Sequence, residues 1–147
     1  VEQQPEMAFP ILAVHGSPRR PINEYIFPDD VNNAPDKMEA IFDRVTTIAI
    51  CGHTHVPGVF TGEPDFYPPD ELGSGNRYEF RANEKAVINV GSVGQPRDQD
   101  PRASYVILHA TAAEFVRVEY DVEKTASKIR QIPQLPAWLA DRLYEGR

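Results

Sequence analysis

The chain has 147 residues, 41% of them hydrophobic and 25% charged, which is the size and make-up of one ordinary globular domain. A balance of 15 basic against 22 acidic residues gives a net charge of −7 and argues against a non-specific nucleic-acid or anionic-membrane binder. The single cysteine, Cys51, excludes an internal disulfide and a cysteine-rich zinc module, and no apolar run approaches the ~20 residues that span a bilayer.

The chain opens Val1-Glu2-Gln3-Gln4-Pro5-Glu6, with no initiator Met and neither the basic nor the apolar region of a signal peptide. By the tenth residue the pattern already reads as buried strand. The expectations are a chain that begins inside a longer protein and a reducing cytoplasm as its compartment.

Phe9 to Val14 is a continuous apolar run ending at His15-Gly16, which predicts a short strand covered on both faces. Residues 17–35 are rich in Pro, Asn and Asp and predict a loop, with one helical turn near Asn23–Ile26. Pro35 starts a helix through about Arg44, with Met38, Ile41, Phe42 and Val45 on one face. Thr46 to Cys51 is a β-branched strand ending at Gly52-His53-Thr54-His55, so strand, helix and strand form a βαβ-like unit with parallel strands.

Beyond this unit, Gly58–Thr61, Arg77–Arg81, Lys85–Val90, Ser104–His109 and Glu114–Tyr120 are short strands, read as an antiparallel sheet beside the parallel one. Residues 62–76 predict a long loop without structure of its own, and its acidic residues Asp65, Asp70 and Glu71 lack ligand spacing and predict plain surface. Val122 to Gln131 and Pro136 to Tyr144 predict amphipathic helices, with Ile129, Ile132, Trp138, Leu139 and Leu143 as core candidates. The whole, residues 1–147, forms one segment of mixed α/β (α+β) class: a short parallel βαβ unit, antiparallel strands and two C-terminal helices.

Three of the four histidines sit at strand ends. In extended chain His53 and His55 point to the same side, and His15 closes the neighbouring parallel strand, so all three imidazoles face one sheet edge. Such a set suits divalent metal, and Gly52 removes a side chain where backbone would crowd the ions. The competing reading is a chance His-x-His and a polar strand cap. Cys51 should point away from His53 as a buried thiol, and His109 reads as a surface or half-buried strand residue. The loop Asn89-Val90-Gly91-Ser92-Val93-Gly94-Gln95-Pro96-Arg97 either aims backbone N–H groups and Arg97 at an anion or is a plain turn. Ser17, Arg19 and Arg20, beside His15-Gly16, either steer a phosphate or are solvated.

Taken together, His15-Gly16-Ser17-Pro18, Gly52-His53-Thr54-His55 and the Asn89–Arg97 block resemble the C-terminal half of a calcineurin-like metallophosphoesterase, of the small prokaryotic phosphodiesterase branch. The resemblance runs from about Phe9 to the end, with Val90 where many relatives carry proline. It implies half of an α-β-β-α sandwich, and hydrolysis of phosphodiesters or phosphomonoesters by a hydroxide bridging two divalent ions (Mn, Fe, Zn or Ni). By that resemblance His15 and His53 bind one ion and His55 the other, with Arg97, Gly91, Ser92, Ser17 and Arg19 as weak contacts to a small phosphate-ester substrate.

The family's Asp-x-His, Gly-Asp and Gly-Asn-His-Asp/Glu elements are absent from this sequence, and Gly75-Asn76-Arg77 lacks the histidine. No catalytic residue beyond the metal ligands is therefore expected here. The N-terminal half of the same protein is the expected partner, without which turnover is negligible. The alternative functions are a non-catalytic scaffold of the same fold and a mononuclear zinc hydrolase built on three histidines.

Overall fold

The computed structural model describes residues 10–147. Phe9, expected to open the first strand, lies outside them. The strand that follows is β1 (Ile11–Ala13), and after a loop come the short helix α1 (Asp30–Asn33) and α2 (Pro35–Phe42). Then follow β2 (Ile48–Cys51), β3 (Gly58–Thr61), β4 (Asp65–Tyr67), a 3-10 turn at Pro69–Glu71 and β5 (Arg77–Glu79). β6 (Ala86–Asn89), β7 (Ala103–Leu108), β8 (Ala112–Val118), α3 (Val122–Arg130) and α4 (Trp138–Glu145) complete the order.

Two sheets result. The first runs β1-β2-β6-β3-β4, and the second runs β5-β8-β7. β1, β2 and β6 are parallel, with Ile11 opposite Ile48 and Ile48 opposite Ala86. β3 returns antiparallel to β6, Gly58 opposite Asn89. The expected parallel βαβ unit is therefore present, but the division between sheets differs from expectation. β3 and β6 join the parallel strands in one mixed sheet, and only β5, β7 and β8 form the separate antiparallel layer.

Side-chain alternation along β2 explains the layering. Ala49 and Cys51 face a core with Met38, Ile41, Phe42 and Val45 around α2, whereas Ile48 faces a second core with Val59, Tyr78, Ile88, Ala113 and Phe115 between the sheets. Both faces of the central strands are thus covered, as parallel strands require.

Several local expectations are corrected. Among the described residues β1 is an edge strand of the sheet and is not covered on both faces, Leu12 being 37% exposed. The turn of helix expected near Asn23–Ile26 is absent: Asn23 ends a turn, residues 24–27 are irregular with Ile26 buried, and the helical turn falls at α1 instead. Residues 62–76 contain β4, held to β3 in a hairpin where Phe66 packs on Phe60 at 4.8 Å between ring centroids. Three residues are too few to show a strand period. Ile132, past the end of α3, is exposed, and so is Trp138, because Ala140 and Leu143 set the buried face of α4 and Trp138 carries the Arg142 guanidinium 5.5 Å over its ring. Among the described residues no helix is long and apolar enough to cross a membrane.

Candidate metal centre

The parallel strands deliver their C-terminal ends to one edge of the first sheet, and three loops follow from it. His15 lies two residues beyond β1, His53 two beyond β2, and Gly91 two beyond β6. The His15 and His53 ring centroids are 4.4 Å apart at 62°. His53 also stacks on Tyr25 at 3.9 Å and 17°.

Gly52-His53-Thr54-His55 is not the extended chain expected. The strand stops at Cys51, and His53 (φ 65°) and His55 (φ 64°) both adopt the left-handed conformation. Such values are uncommon outside glycine and concentrate where neighbouring structure imposes them at functional sites. Here Thr54, buried between the two, supplies the hold. The Asn89 side-chain amide donates to Thr54 Oγ1 at 2.5 Å and to the Gly52 carbonyl at 3.0 Å, and Asn89 Oδ1 accepts from the Gly91 N–H at 3.0 Å. One buried side chain thereby ties the histidine loop to the loop after β6. A Cβ at Gly52 would meet nothing within 4 Å, so no atom of this chain crowds that position.

His55 has its own constraint. Its Nδ1 lies 2.8 Å from the Gln95 carbonyl, which can only accept, so Nδ1 carries the proton and Nε2 keeps its lone pair. A ring donating one N–H to a backbone carbonyl is the usual support of a metal-ligating histidine. Burial, then the His15 charge, push His53 below the ordinary histidine range, with Arg97 adding a smaller repulsion. Burial also lowers His55, against the opposing Gln95 hydrogen bond. Both shifts favour the neutral imidazole, the form a metal takes.

The remaining expected residues separate into two groups. Ser17 and Arg19 are tied up within the chain: Ser17 Oγ donates to Glu24 Oε2 at 2.5 Å and Arg19 forks onto the same carboxylate. That bidentate pairing holds the Glu24 carboxyl below its usual range and engages the Ser17 hydroxyl and one edge of the Arg19 guanidinium within the chain. Gly91 and Ser92 serve the loop itself. Gly91 (φ 77°) packs where a Cβ would sit 2.7 Å from Ser104 Oγ, and Ser92 Oγ accepts from the Gly94 and Gln95 N–H groups. With the Gly91 N–H already on Asn89, three N–H groups once available to an anion are taken.

Arg97 is different. Its backbone N–H donates to the His55 carbonyl at 3.2 Å, its Nη2 donates to Gln95 Oε1 at 2.8 Å, and its buried Nε has no partner. It is a cation whose charge is felt at His53 and His55.

Among the described residues no three His, Cys, Asp or Glu side chains form a group able to hold a metal ion. The structure therefore brings His15 and His53 together and places His55 nearby, without closing a ligand set. Cys51 is buried on the α2 face, away from the histidines, where burial pushes its thiol up to about 12. His109 lies away from them on β7's end, its Nε2 2.7 Å from Glu114. Asp65, Asp70 and Glu71 are exposed as expected. Sequence reasoning gave Thr54, Asn89 and Tyr25 no role; the Asn between a β-branched strand and Gly-Ser, and a Thr flanked by two histidines, were the signals available.

Comparison with known proteins bears on the family and the fold. Residues 4–113 match the calcineurin-like phosphoesterase superfamily domain. The chain is 39% identical over 140 residues to MJ0912, an uncharacterized protein of Methanocaldococcus jannaschii, covering 93% of this chain and 52% of that protein. A crystal structure of a metallophosphoesterase from Sphaerobacter thermophilus superposes with a TM-score of 0.77 at 36% identity, over 92% of this chain and 55% of that one. A hypothetical protein, PH1004 of Pyrococcus horikoshii OT3, shares the fold at a TM-score of 0.62 and 22% identity, over 93% of this chain and 46% of that one. The chain thus spans about half the length of these relatives. With its strand-end histidines and two-sheet architecture, it belongs to the calcineurin-like phosphoesterase superfamily.

Proposed function

We propose that this chain is part of a hydrolase of phosphate esters, a phosphodiesterase or phosphatase of the cytoplasm working with two divalent ions. The observation that carries the reading is the close His15–His53 pair beside His55 in the tautomer that leaves Nε2 free. His15 and His53 would hold one ion and His55 the other. When bound, such ions lower the pKa of water and neutralise charge on a phosphoryl group. Mn, Fe, Zn and Ni are all compatible with histidine-plus-carboxylate ligands.

The chain's own side chains have distinct tasks in this scheme. Asn89 and Thr54 fix the backbone on which His53 and His55 stand. Arg97, a cation whose charge is felt at His53 and His55, would draw the anionic ester toward them. Two or three neutral imidazoles do not offset two divalent charges, so carboxylates must come from elsewhere. An N-terminal half of the same protein is the proposed source, and the β1 edge, unpaired among the described residues, is where it would continue the sheet.

The test compares the chain alone with the chain joined to that half, using Mn-dependent hydrolysis of bis(p-nitrophenyl) phosphate. Negligible turnover alone and robust turnover of the joined protein are expected. Robust turnover by the 147-residue chain alone would refute the division of the site and favour a mononuclear centre. Less than one bound transition ion per joined chain would favour a non-catalytic scaffold.

A further inference from the structure

The loop between β1 and α1 sets an aromatic ring against the metal centre, and the ligand assignment gives that ring no task. The loop is closed by its own hydrogen bonds. The Gly16 N–H donates to the Pro21 carbonyl at 2.7 Å, and the Ser17 N–H to the Arg20 carbonyl at 3.2 Å. Ser17, fully buried, accepts from the Arg19 and Arg20 N–H groups and donates its own hydroxyl to Glu24. Glu24, which Arg19 also grips, has a side chain only 9% exposed. Two residues on, Ile26 is buried in the α2 core at 2% exposed. Tyr25 is thereby pinned between two buried anchors, and the Phe27 N–H that follows is held by Asp30 Oδ2 at 2.7 Å.

What the pinned segment delivers is a flat surface for His53. The Tyr25 ring lies 3.9 Å from the imidazole and within 17° of its plane, and Phe27 lies 5.5 Å from Tyr25 and within 10° of it. The backbone of Asn23, two residues before Tyr25, bears on the same imidazole. The two histidines of the Gly52–His55 loop are therefore oriented by different devices. His55 is turned by a hydrogen bond from Nδ1 to the Gln95 carbonyl. His53 is held by rings, with His15 across it at 62° and Tyr25 nearly parallel to it.

We propose that Tyr25 is a positioning residue of the metal centre, a wall that holds the His53 imidazole in the orientation in which it meets His15. The inference rests on the reading of His53 as an ion ligand. An imidazole at a loop surface samples several rotamers, and fixing one of them when an ion arrives costs binding free energy. A parallel ring already in place meets that cost when the chain folds, so the histidine pair is ordered before the ion comes. Once it carries an ion the imidazole is electron-poor, and the electron-rich face of a phenol ring stabilises it further. Both effects belong to the ring face and neither needs the Tyr25 hydroxyl.

The experiment uses the chain joined to its N-terminal half and compares wild type, Tyr25→Phe and Tyr25→Leu. Calorimetric titration with Mn²⁺ gives the ion affinity of each without any turnover. Tyr25→Leu should bind Mn²⁺ about three- to tenfold more weakly, the cost of ordering one side chain, and Tyr25→Phe should stay within about twofold of wild type. In hydrolysis of bis(p-nitrophenyl) phosphate, Tyr25→Leu should need correspondingly more Mn²⁺ for half its maximal rate, yet reach the wild-type kcat and KM once Mn²⁺ saturates. A reduced kcat at saturation with unchanged affinity would make Tyr25 a merely structural residue, and a raised KM there would make it a substrate contact; either overturns the positioning role. So does wild-type affinity in Tyr25→Leu, or a loss in Tyr25→Phe as large as in Tyr25→Leu. All four outcomes leave the hydrolase standing, whereas a wild-type protein that binds no ion removes both readings together.

Discussion

The side-chain amide of Asn89 reaches the Thr54 hydroxyl at 2.5 Å, joining the end of β6 to the middle of the histidine loop. Both residues are buried, and the same amide also holds the Gly52 carbonyl. Removing one partner leaves polar groups without water or protein to bond. Asn89→Leu should therefore destabilise the fold by about 1–3 kcal/mol, and Thr54→Val by somewhat less, because Gly52 keeps its bond. Urea denaturation of the single and double variants gives the coupling between them. A double-variant cost equal to the sum of the singles would mean that the hydrogen bond contributes nothing.

Gly91 provides a second check on the same loop. It adopts φ 77°, and a Cβ there would lie 2.7 Å from Ser104 Oγ and 3.0 Å from Pro57 Cβ. Left-handed backbone costs a non-glycine residue about 1–2 kcal/mol, and overpacking adds about 1–3 kcal/mol. Gly91→Ala should lower the thermal midpoint by several degrees. Gly94→Ala, whose Cβ meets nothing within 4 Å, should change it little. Thermal unfolding by circular dichroism distinguishes them, and equal midpoints would refute the packing argument.

The edge of β1, open among the described residues, makes a prediction about behaviour in solution. Parallel strands are ordinarily buried inside a sheet, and an apolar edge pairs with whatever strand arrives. The chain alone should self-associate with rising concentration, and Leu12→Lys should suppress this without unfolding the domain. Sedimentation velocity across a concentration series is the measurement. An association constant unaffected by the lysine would place the contact elsewhere.

Cys51 gives a pH prediction with a defined sign. Burial moves the thiol from its ordinary value to about 12 in the native state. Between roughly pH 9 and 12 the unfolded chain has released a proton that the native chain retains, so this group's contribution to stability is intact below about pH 9 and falls as pH rises. The slope approaches about 1.4 kcal/mol per pH unit in that window. Urea midpoints between pH 8 and 10.5 should decline more steeply for the wild type than for Cys51→Ala. The native thiol should also resist alkylation at pH 8 and react once urea unfolds the chain.

Much of the architecture was legible in the sequence because its signals are local. The apolar runs before His15 and Gly52, and the spacing of Met38, Ile41 and Phe42, announce strand, strand and helix without any long-range information. Sheet membership was not legible. β3 pairs with β6 across 24 intervening residues (62–85), and nothing in Gly58–Thr61 says which sheet it joins. At the site, the histidines could be picked out as residue types at strand ends, but the way they are held could not. Ser17 and Arg19 read as phosphate contacts until Glu24, five residues after Arg19, is seen to take both. Tyr25 lies ten residues after His15 and 28 before His53, and only the fold of the intervening loop brings its ring against the second imidazole.

The left-handed backbone at positions 53 and 55 also decides how these histidines should be interrogated. Alanine there removes a ring and at the same time asks a residue with no local hydrogen-bonding group to sit in an unfavourable well, so its effect mixes lost ligand with altered loop shape. Asparagine visits that conformation readily and is the cleaner probe. A difference between the Asn and Ala variants in ion affinity then measures what loop geometry alone contributes to the centre.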